Sequence, residues 1–221
     1  ALIQLQDLDR DGERETAVTF FRVSEAEKPL KIYFFTRTAE DTYTVSAMVE
    51  GNGTAIYRVD YVDLNGSGCK EVVVSWQMST GVYLLGAYSL EEAMVRSLQY
   101  AASAPAGSAS AQGLPDREAL RATEWMTTVY DNYALYDLDQ DTRTELAVVR
   151  VDKAGTNSAV DLYGWRDGSF MVRASAPLSM GISSVEKNGV ETNFLKEDGD
   201  VPVRALYISS ELADGHHVVD V

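Results

Sequence analysis

The chain has 221 residues, 45% hydrophobic and 24% charged, enough apolar material for a sizeable core and too much for an intrinsically disordered segment. Its net charge of −15 disfavours nucleic acid and anionic membranes as partners, and a single cysteine, Cys69, rules out an internal disulfide framework. No stretch approaches the roughly 20 apolar residues of a membrane-spanning helix. The chain opens on Ala1 without an initiator methionine, so it is expected to be a mature or trimmed part of something longer.

From the N-terminus, residues 2–5 read as a short apolar strand, and residues 16–23, 30–36 and 43–49 as three more, with polar turns around Ala39-Glu40-Asp41 and Gly51-Asn52-Gly53. Between the first two strands lies Asp7-Leu8-Asp9-Arg10-Asp11-Gly12-Glu13-Arg14-Glu15. The plan then repeats. A strand at 56–62 leads into Asp63-Leu64-Asn65-Gly66-Ser67-Gly68-Cys69-Lys70-Glu71, followed by strands at 71–77, 81–88 and 94–100. Residues 101–113 hold mostly small side chains and read as a flexible insertion, the expected first point of proteolysis. Beyond it, Asp116 suits the N-cap of a short helix, whereas the β-rich stretch 123–129 argues for a strand. A strand at 133–136 precedes the third copy, Asp137-Leu138-Asp139-Gln140-Asp141-Thr142-Arg143-Thr144-Glu145, and strands follow at 145–151, 159–165 and 170–174. The last segment has strands near 182–185, 203–208 and 217–221. Its acidic turn, Glu197-Asp198-Gly199-Asp200, lacks the alternating spacing, so it reads as a fourth, degenerate repeat.

All three copies put an oxygen-bearing side chain at loop positions 1, 3, 5 and 9. Short carboxylates at alternate positions of a tight loop turn inward together and suit a hard cation, with a main-chain carbonyl near position 7 and the later Glu closing the shell. An EF-hand would require a bidentate Glu at position 12 between two helices, but position 12 is Val18, Val74 and Val148 in strand-like runs, which excludes it. Position 6 calls for a positive φ, which Gly12 and Gly68 supply freely and the β-branched Thr142 does not. The alternative to a metal is a set of Asx-turns, in which the Asp side chains accept hydrogen bonds from nearby main-chain N–H groups.

A strand, then D-x-[D/N]-x-[D/S]-G-x-x-[D/E], then a Val/Leu-rich strand resembles the Asp-rich FG-GAP or VCBS repeats of integrin α-subunit propellers and bacterial cell-envelope proteins. That resemblance implies an all-β, β-propeller-like array of about four antiparallel blades (about 1–50, 51–100, 119–176 and 177–221), complete or part of a larger propeller, with helix limited to a turn or two. It implies Ca²⁺ ligands at Asp7, Asp9, Asp11 and Glu15, at Asp63, Asn65, Ser67 and Glu71, and at Asp137, Asp139, Asp141 and Glu145. Glu13 adds a further carboxylate to the first loop. The first copy alone meets every requirement, so it is the best expected calcium site, ahead of the second and third.

No catalytic motif of the G-x-S-x-G, H-E-x-x-H or P-loop kind occurs, and His216 and His217, adjacent in a strand, point to opposite faces and cannot share a metal. Trp76, Trp125 and Trp165 are expected as packing between blades, or as a stacking rim if all three face one side. The function expected from the resemblance is a non-enzymatic extracellular or cell-surface module, carried by a bacterial protein and taking a protein or carbohydrate ligand. The competing expectations are a carboxylate-based polysaccharide hydrolase or lyase, defined by the separation of two acids in space, and a plain structural spacer.

Overall fold

The computed structural model describes residues 3–14, 16–24, 26–39, 42–103, 120–151, 158–179, 185–196, 202–212, 215 and 217–220. It is an all-β protein with a single helix among those residues. The chain divides into two compact units, Ala1–Asp63 with Ser67–Thr127, and Leu64–Gly66 with Thr128–Val221.

In the first unit, β1 (Ile3–Gln6), β2 (Thr16–Arg22), β3 (Leu30–Ala39) and β4 (Thr42–Gly51) form an antiparallel meander in chain order. A second meander runs β5 (Ala55–Val62), β6 (Glu71–Ser79), β7 (Val82–Ser89) and β8 (Thr123–Tyr130), the last strand crossing from the first unit into the second. Each carries its Asp loop between its first and second strands, as expected. Central strand β6 has Val72, Val73 and Val74 all fully buried, so both of its faces are covered. That is why its sequence is a continuous apolar run rather than an alternation. One core joins Val18, Ile32, Phe34 and Val49 of the first sheet to Val72, Val74 and Trp76 of the second.

The sequence expectation fails at residues 94–100, which are not a strand. They belong to helix α1 (Glu91–Ser103), 13 residues long and therefore more than the turn or two expected. Leu90, Ala93, Met94 and Ser97 follow the i, i+3, i+4, i+7 spacing of a helix face, and Glu91 and Glu92 favour the N-terminal end of the helix dipole. Ala93 is fully buried, and Ser97 Oγ donates to the Val45 carbonyl at 3.0 Å, which seats the helix on β4. The fourth strand of the second sheet is β8 instead. The helix also takes in residues 101–103 of the expected insertion; the rest of that stretch and Asp116 lie outside the described residues. Leu120-Arg121-Ala122 pairs in parallel with β4, Met48 N–H donating to the Leu120 carbonyl (2.7 Å) and Ala122 N–H to the Met48 carbonyl (2.9 Å). The buried Glu50 carboxylate pairs with Lys31 and, at 3.0 Å, with Arg121, so no unpaired charge is left at this crossing.

The second unit holds a third meander of β9 (Asn132–Tyr136), β10 (Glu145–Arg150), β11 (Ala159–Arg166) and β12 (Ser169–Pro177), with the third Asp loop between β9 and β10. Leu146, Ala147, Val148 and Val149 of β10 are buried, repeating the pattern of β6. A fourth sheet has three strands among the described residues, β13 (Val185–Lys196), β14 (Pro202–Leu212) and β15 (His217–Asp220), and packs Ile208 against Val149 and Leu178. Its first strand starts where the expected 182–185 strand ends and runs much further. The turn at 197–200 and His216 lie outside the described residues.

Trp76 is 2% exposed, edge-on to Tyr88 and donating its indole N–H to the Tyr88 hydroxyl at 3.1 Å. A rim formed by all three tryptophans is therefore excluded.

Candidate metal centre in the aspartate loops

The three loops are built to one plan, and their own main-chain N–H groups define it. The position 6 amide donates to the position 1 carboxylate in every copy: Gly12 to Asp7 (3.2 Å), Gly68 to Asp63 (3.0 Å) and Thr142 to Asp137 (3.2 Å). The position 7 amide donates to the position 5 side chain: Glu13 to Asp11 (2.7 Å), Cys69 to Ser67 (3.2 Å) and Arg143 to Asp141 (2.8 Å). In the first and third loops the position 5 amide also donates to position 3, Asp11 to Asp9 and Asp141 to Asp139, each at 3.3 Å. These are stacked Asx-turns, which pull successive side-chain oxygens to one side of the loop.

Left-handed backbone is needed at two positions. Position 6 has φ of 94° at Gly12, 89° at Gly68 and 75° at Thr142, as the sequence predicts. Position 4, which the sequence reading passed over, is also left-handed: Arg10 at 61°, Gly66 at 77° and Gln140 at 61°. Position 2 is a leucine in every copy; Leu8, 4% exposed, packs in the core of the first unit, and Leu64 is fully buried.

The side chains converge unequally. One carboxylate oxygen from each of Asp7, Asp9 and Asp11 lies within 4.8 Å of the others, and so does the set Asp137, Asp139 and Glu145. Oδ1 of Asp7 is buried and accepts no hydrogen bond, a lone pair held ready inside the first loop. That donor set fits a hard cation. Glu15 lies outside the described residues, and Glu13 turns away to pair with Arg37 at 2.9 Å. In the second loop Asp63 meets Arg10 at 3.4 Å, and Asn65 and Ser67 bring no charge. Lys70 ties the first two loops together, its main-chain N–H donating to the Leu8 carbonyl (2.7 Å) and its Nζ to the Asp7 carbonyl (2.6 Å).

Glu71 and Glu145, at position 9, are each 2% exposed. The Glu145 carboxylate accepts from Leu138 N–H at 2.9 Å and meets Arg173 Nη1 at 3.1 Å, while Asp139 meets the same nitrogen at 3.4 Å. Burial, only partly offset by the Leu138 N–H, pushes the Glu145 carboxyl above its usual range. Arg173 was invisible to the sequence reading because it lies 28 residues beyond Glu145, on β12. A cavity of about 250 Å³ separates the first two loops from α1, lined by Asp9, Thr16, Ser46, Cys69, Lys70 and Met94 among others. Burial, with Glu91 nearby, raises the Cys69 thiol above its usual range. No protein-family model matches the chain, and no curated protein matches it.

Proposed function

We propose that this chain is a non-enzymatic, extracellular binding module of the β-propeller repeat kind, whose first Asp loop holds Ca²⁺. The observation that carries the reading is the shared loop frame, with the first loop bringing three carboxylates together around the unpaired Asp7 Oδ1. Three successive four-stranded meanders, each with its loop between strands one and two, support the blade reading. Binding is favoured over hydrolysis by exposed aromatic surface: Tyr57 is 64% exposed against Tyr83 at 4.9 Å, and Phe21 is 43% exposed against Tyr33 at 5.7 Å. Such rings stack on sugars or peptide without contributing to the core. A cell-surface setting supplies millimolar calcium, the range in which extracellular sites work.

The test is thermal melting in chelator and in millimolar Ca²⁺. Calcium that binds only the folded state raises stability by about 2.7 kcal/mol at 100 times its dissociation constant. Asp9→Ala removes most of that gain by deleting a central ligand, and Asp139→Ala removes much less. Identical melting of the wild type in both buffers would show the loops to be metal-free Asx-turns.

A further inference from the structure

The third loop repeats the hydrogen-bond frame of the first but has a cation of its own. Between β11 and β12 the register slips: Leu162 pairs with Ala174 and Tyr163 with Val172, so Arg173 is the unpaired residue of a β-bulge. A bulge re-aims the side chain it carries. Here the guanidinium reaches the loop, 3.1 Å from Glu145 and 3.4 Å from Asp139, two of the three converging carboxylates. Room for it comes from Gly164, where a Cβ would stand 2.6 Å from Arg173 Cδ and 3.4 Å from Glu145 Cγ.

Among the described residues the first loop has no such arginine on its converging carboxylates. Between β3 and β4 the register also slips, Phe34 pairing with Ala47 and Phe35 with Val45, and the skipped residue is Ser46. Its hydroxyl donates to the Phe34 carbonyl at 3.1 Å and shares a hydrogen bond with Thr36 at 2.9 Å, and it lines the cavity beside Asp9 without bringing charge. Of the basic groups nearby, Arg37 pairs with Glu13 and Arg10 with Asp63, while Lys70 reaches the first loop only at the main-chain oxygen of Asp7 and pairs with none of its three converging carboxylates.

We infer that Arg173 is the resident cation of the third loop, taking the place that a calcium ion takes in the first, so that the third loop is a calcium-independent strut. An entering ion would have to displace a guanidinium already hydrogen-bonded to the buried Glu145, whereas in the first loop it meets Asp9 and Asp11, which pair with no arginine or lysine among the described residues. The inference rests on the calcium reading of these loops. It adds that one arginine decides whether the third loop responds to the ion.

The experiment is calorimetric Ca²⁺ titration of the whole chain as wild type, Asp9→Ala, Arg173→Gln, Arg173→Lys and the Asp9→Ala/Arg173→Gln double variant, each checked for its far-UV spectrum. Arg173→Gln is expected to bind one more Ca²⁺ than the wild type, and the double variant to keep that added site while losing the first. Arg173→Lys, which retains a charge, is expected to bind no more than the wild type. If wild type binds nothing while Arg173→Gln binds one ion, the first-loop reading falls and the role of Arg173 stands. If Arg173→Gln folds and gains no site, the inference is overturned, whatever the first loop does. Should that variant not fold, a wild-type crystal grown in millimolar Ca²⁺ decides: an ion in the third loop with Arg173 displaced overturns the inference, and Arg173 in place with no ion there supports it.

Discussion

At the scale of single residues, the loops are decided by backbone hand. Thr142 holds φ of 75°, a conformation costing a β-branched residue roughly 1–2 kcal/mol, whereas glycine reaches it without a steric cost. Thr142→Gly is therefore expected to raise stability by about 0.5–1 kcal/mol after the extra unfolded-state entropy of glycine is counted, read as a higher urea midpoint. Gly12 has nothing within 4 Å of where a Cβ would sit, so Gly12→Ala tests conformation alone and should lower stability by about 1 kcal/mol. An unchanged midpoint for both variants would mean that the hand of position 6 does not limit the loop. Position 6 was legible because Gly12 and Gly68 advertise it. Position 4 was not, since Arg10 and Gln140 carry no such signal, yet they adopt the same backbone.

At the scale of elements, strands announced themselves and the helix did not. Runs such as Val72-Val73-Val74 are β-branched and uninterrupted, so strand was the simplest reading wherever apolar residues recurred. A repeat that supplies three strands directly after its loop predicts a strand at residues 94–100, and the structure has a helix there. Their Met, Arg, Leu and Gln, and the spacing of Leu90, Ala93, Met94 and Ser97, favour a helix. Ala93 of α1 is fully buried in the core shared by the first two sheets. Ala93→Leu overfills that contact and is expected to cost about 1–3 kcal/mol, seen as a lower urea midpoint. A loss under about 0.5 kcal/mol would show that the helix is loosely seated.

At the scale of the whole molecule, the net charge of −15 acts on every loop together. Self-repulsion of that size opposes compactness and is screened as the Debye length falls from about 30 Å at 0.01 M salt to about 8 Å at 0.15 M. KCl over this range is therefore expected to raise the melting temperature of wild type and Asp9→Ala alike. Calcium should add a further rise in the wild type that Asp9→Ala lacks. If KCl at matched ionic strength reproduced the whole calcium effect, the ion would be acting as a screen and not as a ligand.

The sequence by itself determined the all-β class, the three loops and their place between the first and second strands of the first three sheets. These follow from local chemistry: alternating short carboxylates, a glycine or its strained substitute, and an apolar run long enough to be buried on both faces. Only the tertiary structure decided which side chains meet in and around the loops. Arg173 meets Glu145 and Asp139 through a bulge on a strand far along the chain, Glu13 is drawn off by Arg37, and Trp76 is taken into the core by Tyr88. Each of these outcomes is a pairing of charges or rings brought together by strand register, and register between distant strands is written in no single stretch of sequence.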